Sequence, residues 1–430
     1  MGSRAALLRP TAWLALWWRI SASLWFVPAV MVLAALVLAI ALIELEDAHG
    51  LDLAAVASSM ITVAGVVFSV TIVALSLGAS AYSPRVLRTF MGDRPTQMVL
   101  GMFVGVFAYC LTVLRTIRTG DDEDFVPRIA VLGGIVLAFA AIAFLVFFIH
   151  HLAASIQAAT ILERITGATL RAIDQLFPED LGGPAEEADP ARLGAELSGA
   201  WTPVLARRSG YIVTVDNEAL LAFAREHGRV LRMERAIGDF VVRGAVLASL
   251  QGAQAVGEDA EGALDRHYTL DRLRTIEQDA AFGVQEIVDI GVKALSPGIN
   301  DPTTAVMCID RLTQILVCLS RRRIETPLRS EGDRLRVIAI GPSFTGLAAL
   351  CYDALRTEAR GSPVVLHRLL WSLEEVVAAT RHPARLRCLE RHARAIAECA
   401  SSVAEAPARE AIVARAQACA AQAARCAAQA

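Results

Sequence analysis

Residues Ile129–Ile149 read IAVLGGIVLAFAAIAFLVFFI, an apolar run without a single charged side chain. A helix needs about 20 such residues to cross the hydrocarbon core of a bilayer. Three more runs of this kind lie near Leu24–Leu42, Met60–Ala81 and Met98–Thr116, and none has an Asp, Glu, Lys, Arg or His in its middle. A core helix of a soluble protein rarely repeats this pattern, so the sequence predicts a four-helix transmembrane domain at residues 24–152.

The composition of the whole chain agrees with a membrane protein. Of its 430 residues, 55% are hydrophobic and only 20% are charged, whereas average soluble domains are less apolar and carry more charge. The net charge of -3 comes without a basic tract, which argues against nucleic acid as a partner. The eight cysteines form no C-x-x-C pair and no Cys/His group with zinc spacing, so we expect neither a metal site nor any other cofactor.

The charges of the connecting loops predict the orientation in the bilayer. The loop after the first run has four carboxylates between residues 44 and 52 and no Lys or Arg, whereas the loop after the second run has three arginines between residues 85 and 94. The loop after the third run mixes both signs and is a weaker guide. Because cytoplasmic loops are rich in Lys and Arg, we expect a multi-pass protein of the bacterial inner (plasma) membrane with both termini in the cytoplasm. Residues 1–23, with three arginines and three tryptophans, predict an amphipathic segment at the lipid interface.

The second run carries small and hydroxyl-bearing residues along one side of the helix. At about 100° per residue these positions share a single stripe. Two interpretations remain open, because such a stripe suits tight packing against another helix and also suits the wet wall of a pore in an oligomer. The candidate pore-lining residues are Thr62, Gly65, Ser69, Ser76 and Ser80.

The soluble part is predicted to be cytoplasmic and of the α+β class. Apolar positions at helical spacing continue from the fourth run to about Phe177, which predicts a continuous stalk helix; with the polar linker after it, this segment covers residues 153–200. Residues 201–258 contain short strand patterns and a Gly-Asp turn similar to that of biotinyl- and lipoyl-like modules, which predicts a small β-rich, barrel-like module. No lysine stands at a hairpin tip there, so a covalent cofactor is not expected. Residues 263–430 are predicted to be a mostly helical domain with one isolated strand at 336–340.

A loop rich in helix breakers interrupts the helical C-terminal part. It reads ALSPGINDPTTA at residues 294–305, and Asn300 or Asp301 is suited to cap the helix that begins with Pro302. The alternative is a binding or gating loop in which polar side chains hold a cation or a small polar ligand. The candidates for that role are Glu286, Asp289, Asn300, Asp301 and Thr304.

A second motif, Asp93-Arg94-Pro95-Thr96-Gln97, stands at the entry to the third run. Asp93 or Thr96 is suited to cap that helix, and the alternative is a gating contact. Together with the loop at 294–305, this motif resembles the domain of unknown function 2254 family of predicted bacterial membrane proteins. The resemblance covers nearly the whole chain. It implies four spans and a large soluble C-terminal part, but no established reaction.

The sequence lacks the motifs of known catalytic sites, since it contains no G-x-S-x-G, no H-E-x-x-H and no G-x-G-x-x-G after a strand. We therefore expect no catalytic residues and no enzyme. No ionisable group lies in the middle of a span, which argues against an ion-coupled transporter. The leading hypothesis is a homo-oligomeric channel or pore-type protein with a cytoplasmic regulatory domain. The alternative is a membrane-anchored sensor or scaffold whose cytoplasmic part binds a ligand or a protein partner.

Overall fold

The computed structural model describes residues 53–81, 94–116, 128–176, 199–253, 257, 262, 264–322, 328–331 and 334–429. The chain divides into two compact units, one ending at Thr160 and the other beginning at Ile161. The predicted interfacial segment (1–23), the first predicted span (24–42) and Asp93 lie outside the described residues.

Three helices that pack on one another make up the described part of the N-terminal unit: α1 (Leu53–Ala81), α2 (Arg94–Thr116) and α3 (Arg128–Ser155). Val67 of α1, Phe103 of α2 and Ala141 of α3 are buried at their contacts. A Cβ atom on Gly133 would lie 2.7 Å from the hydroxyl oxygen of Tyr109, so α2 and α3 approach closely at this point. Small residues at such points are typical of helices that associate within a bilayer.

By length and apolar composition alone, three helices among the described residues qualify to cross a bilayer: Ala54–Gly78, Leu132–Ser155 and Pro302–Arg321. The first two coincide with the predicted spans at 60–81 and 129–149. At the predicted span 98–116, the apolar part of α2 is the shorter segment Gly101–Leu114. The described residues therefore carry candidate membrane helices at two of the predicted positions and a shorter apolar helix at a third.

The helix after the fourth predicted span is interrupted, which differs from the predicted continuous stalk. Helix α3 ends at Ser155, and a separate helix, α4 (Ala158–Leu176), follows after two residues. The Ser155 hydroxyl donates to the Leu152 carbonyl at 2.9 Å, and the Gln157 N–H turns back to the Ala154 carbonyl at 3.3 Å. A serine that bonds its own backbone in this way competes with helix continuation.

The eight strands that the structure describes in the C-terminal unit form two sheets. The five-stranded sheet has the order β1-β5-β3-β8-β7 and the three-stranded sheet the order β4-β2-β6, so the described strands do not close into the predicted barrel. A helix, α5 (Asn217–Glu226), connects β2 to β3. The strands are β1 (Trp201–Leu205), β2 (Gly210–Val215), β3 (Leu231–Met233), β4 (Phe240–Val241), β5 (Val246–Gln251), β6 (Tyr268–Asp271), β7 (Leu328–Glu331) and β8 (Arg334–Ile338).

The strand predicted to stand alone at 336–340 is part of the larger sheet. Strand β8 pairs in parallel with β3 and antiparallel with β7. Val337 contributes to the same buried core as Leu231 and Leu250, so the isolated-strand prediction is wrong. The reason is that burying an apolar strand requires partners for its backbone groups, and here they come from the preceding strand β7 and from β3, about a hundred residues earlier.

Six more α-helices lie in the described part of the C-terminal unit. The helices α7, α9 and α10 each begin with proline, whose missing N–H costs nothing in the first turn. Half of α7 is buried, with α6, α8 and α9 packed around it, and its Asp310 forms an ion pair with Arg368 of α9. The six are α6 (Ala280–Ala294), α7 (Pro302–Arg321), α8 (Phe344–Glu358), α9 (Pro363–Ala379), α10 (Pro383–Cys399) and α11 (Ala406–Gln429).

Candidate functional site

The polar stripe of α1 lies on the side of the helix away from its described neighbours. Thr62, Gly65, Ser69 and Ser76 are all exposed, and a Cβ on Gly65 would meet no atom within 4 Å. At about 100° per residue, the centre of this stripe lies roughly opposite the face packed on α2 and α3. Ser80 belongs to α1, but its side chain lies outside the described part. The buried face consists of Ala57, Met60, Ala64, Val67 and Ala74.

Two threonine hydroxyls of α1 donate hydrogen bonds to backbone carbonyls of the same helix. The Thr62 hydroxyl donates to the Ser58 carbonyl at 2.8 Å, and the Thr71 hydroxyl donates to the Val67 carbonyl at 2.7 Å. A hydroxyl that already donates to its own helix can lie beside apolar side chains. Its oxygen still has a lone pair that can accept a hydrogen bond from water. Thr62 belongs to the stripe, and its hydroxyl is therefore compatible with helix packing and with a wet surface.

The loop at 294–305 ends in a helix cap, which confirms one of the two predicted roles of Asp301. One carboxylate oxygen of Asp301 accepts the Thr304 N–H at 3.1 Å, and the other accepts the Thr304 hydroxyl. These hydrogen bonds hold the pKa of the Asp301 carboxyl below its usual value. Pro302 follows in the first turn of α7. Two of the predicted ligand residues, Asp301 and Thr304, are thus bound to each other.

The same loop holds Asn300 in a left-handed conformation. Its φ is +49°, and it is the one non-glycine residue with positive φ in the described part of the chain. The N–H groups of Ile299 and Asn300 both donate to the Ser296 carbonyl, at 3.0 and 2.9 Å, and the Asp301 N–H donates to the Ala294 carbonyl at 2.8 Å. This tight turn presents Gly298, Ile299 and Asn300 to the outside.

The two acidic candidates on α6 are not part of that turn. Glu286 and Asp289 lie roughly 12 and 8 Å of helix rise before Ala294, the last residue of α6. Both are half-buried, and Asp289 accepts a hydrogen bond from the Gln285 amide at 2.5 Å. Within the described ranges, no three His, Cys, Asp or Glu side chains are arranged to hold a metal ion.

Of the second motif, the structure describes the backbone of residues 94–97. Arg94, Thr96 and Gln97 lie in the first turn of α2, and their side chains are outside the described part. The predicted capping and gating roles of this motif therefore remain predictions.

The comparison with known proteins settles the family. The sequence model of the family described as "Predicted membrane protein (DUF2254)" matches residues 21–375. This range includes the motif at 93–97 and the loop at 294–305. The chain belongs to the DUF2254 family. An uncharacterized protein of Mycobacterium tuberculosis (strain CDC 1551) is 35% identical over 348 residues, and one of Mycobacterium bovis is 34% identical over the same length. Each match covers 79% of this chain, and the chain spans 65% of the length of these relatives. No solved structure matches the chain.

Sequence reasoning missed the ion pair of Arg274 with Asp279, which lies where the DUF2254 chain passes from strand β6 into helix α6. Asp279 caps α6 by accepting the Phe282 N–H at 2.9 Å, and it accepts two N–H groups of Arg274 at 2.9 and 2.7 Å. Burial raises the pKa of the Asp279 carboxyl, although Arg274 opposes this change. Gly238, at a φ of +91°, fits over the pair, because a Cβ there would lie 2.4 Å from the carboxylate.

Sequence reasoning also missed how α4 is held in the C-terminal unit of the DUF2254 fold. Thr169 of α4 lies against Gly283 of α6, and a Cβ on Gly283 would lie 2.0 Å from the Thr169 hydroxyl oxygen. Asp174 of α4 forms an ion pair with Arg322, at 2.6 Å, where α7 ends. Arg385 of α10 donates to three carbonyls at that end, those of Leu319, Ser320 and Arg322. Helix α4, which follows the candidate span Leu132–Ser155, is thereby held against the start of α6 and the end of α7.

Proposed function

We propose that this DUF2254 protein is a homo-oligomeric channel in the bacterial inner membrane, in which α1 lines a wet pathway for ions or small polar solutes. The observation that carries the proposal is the direction of the polar stripe on α1. If the stripe served to pack α1 against α2 or α3, it would face one of these two helices. It lies instead on the opposite side, where the described neighbours leave Ser69 and Ser76 exposed.

The chemistry of the stripe supports uncoupled passage of solutes. Hydroxyl and glycine positions wet a wall without fixing a charge in it, and α1 has no ionisable residue between Leu53 and Ala81. Carriers that couple transport to ions or protons place titratable groups at membrane depth. Because a few helices of one chain enclose little space, the pathway requires several copies arranged around it.

The proposed topology has four spans with both termini in the cytoplasm. The C-terminal unit is then cytoplasmic and suited to assemble or regulate the pore. The acidic loop at 44–52 and the arginine-containing loop at 85–94 should lie on opposite sides of the membrane. Single cysteines placed in each loop should react with an impermeant maleimide from opposite faces of oriented vesicles. Labelling of both loops from the same face would contradict the topology.

Cysteine substitution along α1 tests the pore directly. Ser69→Cys and Ser76→Cys should react with a charged, membrane-impermeant thiosulfonate, and the reaction should change ion flux in proteoliposomes. The matched control is Val70→Cys, which is exposed but lies about 100° around the helix from Ser69. The native Cys110 is the one cysteine in the described part of the N-terminal unit, and it is buried. Equal reaction of all three positions, or of none, would contradict a pore along this stripe.

A second candidate function, a membrane-anchored sensor or scaffold, is favoured by the loop at 294–305. Its turn exposes Ile299, 44% accessible, beside the left-handed Asn300. Backbone positions of this kind are found at ligand-binding sites more often than elsewhere. Asn300→Gly keeps the turn and removes the amide. If this variant abolishes recovery of a crosslinked partner while liposomes of the wild type conduct no ions, the sensor replaces the channel.

A further inference from the structure

Three loops of the C-terminal unit meet at one end of the three-stranded sheet. The turn at 206–209 precedes β2, and the turn at 242–245 follows β4. The two turns are joined by a hydrogen bond from the Gly244 N–H to the Ala206 carbonyl at 2.8 Å. The segment 272–273 follows β6 and starts at the same end, because β2 pairs antiparallel with both β4 and β6. The start of β2 thus lies between the ends of its two neighbours.

The turn at 242–245 is fixed by hydrogen bonds within the unit. Its Val242 carbonyl accepts the Ala245 N–H at 2.9 Å. Its Arg243 N–H donates to the Ser209 hydroxyl at 2.8 Å, which binds it to the neighbouring turn. These backbone groups already have partners, so the turn presents its side chains to the outside.

Large apolar side chains project from this end of the sheet. Phe240, Val242 and Leu273 are 55%, 58% and 56% exposed, respectively. Val241, which lies between the first two, is buried in the core, so its neighbours point away from the core. The Phe240 ring contacts the Tyr211 ring edge-on, with 5.0 Å between the centroids. Exposed apolar side chains gathered in this way are typical of an interaction surface.

Arginines stand beside these apolar side chains. Arg208, Arg243 and Arg272 are all exposed, one on each of the three loops. Asp271, the last residue of β6, is also exposed, and its carboxylate accepts the Arg272 N–H at 2.5 Å. Positive charge is therefore in excess on these loops. An arginine stem can lie along apolar surface while its guanidinium reaches a phosphate group, so the surface is complementary to anionic lipid headgroups.

We propose that this apolar–basic surface, formed by the three arginines with Phe240, Val242 and Leu273, rests on the bilayer that holds the chain. The apolar side chains enter the headgroup region, and the guanidinium groups bind the phosphates of anionic lipids. A second copy docked on the same surface would bring the like-charged arginines together, which disfavours that partner. The membrane needs no separate encounter, because the chain is attached to it. The inference goes beyond the proposed channel and does not depend on a pore.

A fluorescent probe at position 242 tests the contact in the full-length protein. Val242→Cys carries a nitrobenzoxadiazole label in a background with Cys318→Ser and Cys426→Ser, which removes the two native cysteines that are not buried. In vesicles of phosphatidylglycerol and phosphatidylcholine in equal parts, nitroxide-labelled lipids should quench the probe several-fold more than in phosphatidylcholine alone. The matched control is Val364→Cys, at a valine that is 61% exposed on α9, and it should be quenched little in either vesicle.

Charge reversal tests the role of the arginines. Arg208→Glu with Arg243→Glu should lower the quenching at position 242 several-fold, to the level in phosphatidylcholine. Arg387→Glu with Arg391→Glu, at exposed positions of α10, should leave it unchanged.

Three results would overturn the lipid contact. The first is equal quenching at 242 with and without phosphatidylglycerol, or equal quenching at 242 and 364. The second is emission typical of a water-exposed probe at 242 in both kinds of vesicle. The third is blue-shifted emission without quenching by lipid, which would show that protein covers this surface.

Discussion

Replacing Gly283 with alanine should destabilise the protein, although the same change usually stabilises a helix. Alanine is favoured over glycine inside a helix by about 1 kcal/mol. At position 283, however, the added Cβ would lie 2.0 Å from the Thr169 hydroxyl oxygen and 3.0 Å from the Thr169 Cβ. Helix α4 must move away from α6 or distort, and overpacking of this kind costs about 1–3 kcal/mol. The larger cost should decide the sign.

The size of the effect can be followed through the buried thiols of the C-terminal unit. Cys308, Cys351 and Cys419 are each at most 2% exposed, so a dye that fluoresces on reaction with thiols reports unfolding in detergent. A loss of 1 kcal/mol should lower the melting temperature by about 2–4 °C in a domain of this size. Gly167→Ala is the matched control, because its Cβ would lie 3.6 Å from Arg171, an ordinary contact. That variant should be neutral or slightly more stable.

A double substitution identifies the cause. Thr169→Ala removes the atom at 2.0 Å, so Gly283→Ala should cost much less in that background than in the wild type. The difference between the two costs is the coupling free energy, which we expect to be about 1–2 kcal/mol. A Gly283→Ala variant that melts at or above the wild-type temperature would refute the proposed close contact between α4 and α6.

Three further predictions concern the helices of the C-terminal unit. Asp301→Ala should cost about 0.5–2 kcal/mol through loss of the α7 cap. The folded-state pKa of Asp301 is lowered, so the stabilisation that depends on its charge is present at neutral pH and is lost below about pH 4. The difference in melting temperature between the wild type and Asp301→Asn, measured at a series of pH values, should therefore become smaller on acidification. Tyr352→Phe removes a hydroxyl that lies 2.9 Å from Ser372 and should cost about 1 kcal/mol in the same assay; a stability equal to wild type would count against that hydrogen bond. Arg385→Met keeps an apolar stem but removes the guanidinium that donates to three carbonyls at the end of α7. Amide hydrogen exchange at that end should become faster, and unchanged exchange would contradict the capping role of Arg385.

The features predicted correctly from the sequence depend on neighbouring residues. Uncharged runs located the candidate membrane helices at 54–78 and 132–155, since the signal is summed over one segment. The Asp-Pro pattern located the α7 cap, because both the cap and its partner Thr304 lie within one turn. The break after Ser155 was missed because the apolar spacing continues through both α3 and α4, and nothing in that spacing marks the two residues between them.

The features missed depend on contacts between distant parts of the chain. Strand β8 was recognised as a strand, but its parallel partner β3 lies about a hundred residues earlier, and local alternation does not reveal pairing. The contact of Thr169 with Gly283 and the ion pair of Asp174 with Arg322 likewise join residues far apart in sequence. Of the candidate binding residues, Asp301 and Thr304 bond to each other in the α7 cap, whereas Glu286 and Asp289 lie farther back on α6, and the binding role stays a prediction.

Helix α7 could be inserted into the membrane by mistake while the protein is being synthesised. Its residues Pro302–Arg321 are apolar enough to be taken for another span, yet they lie within the helical bundle of the C-terminal unit. Asp310 and Arg311 stand at the midpoint of this segment, where the insertion machinery assigns a charged residue a cost of about 2.5–3.5 kcal/mol. Two such costs outweigh the gain from the surrounding leucines and isoleucines. We therefore expect this central pair of charges to keep α7 out of the bilayer and available to the bundle.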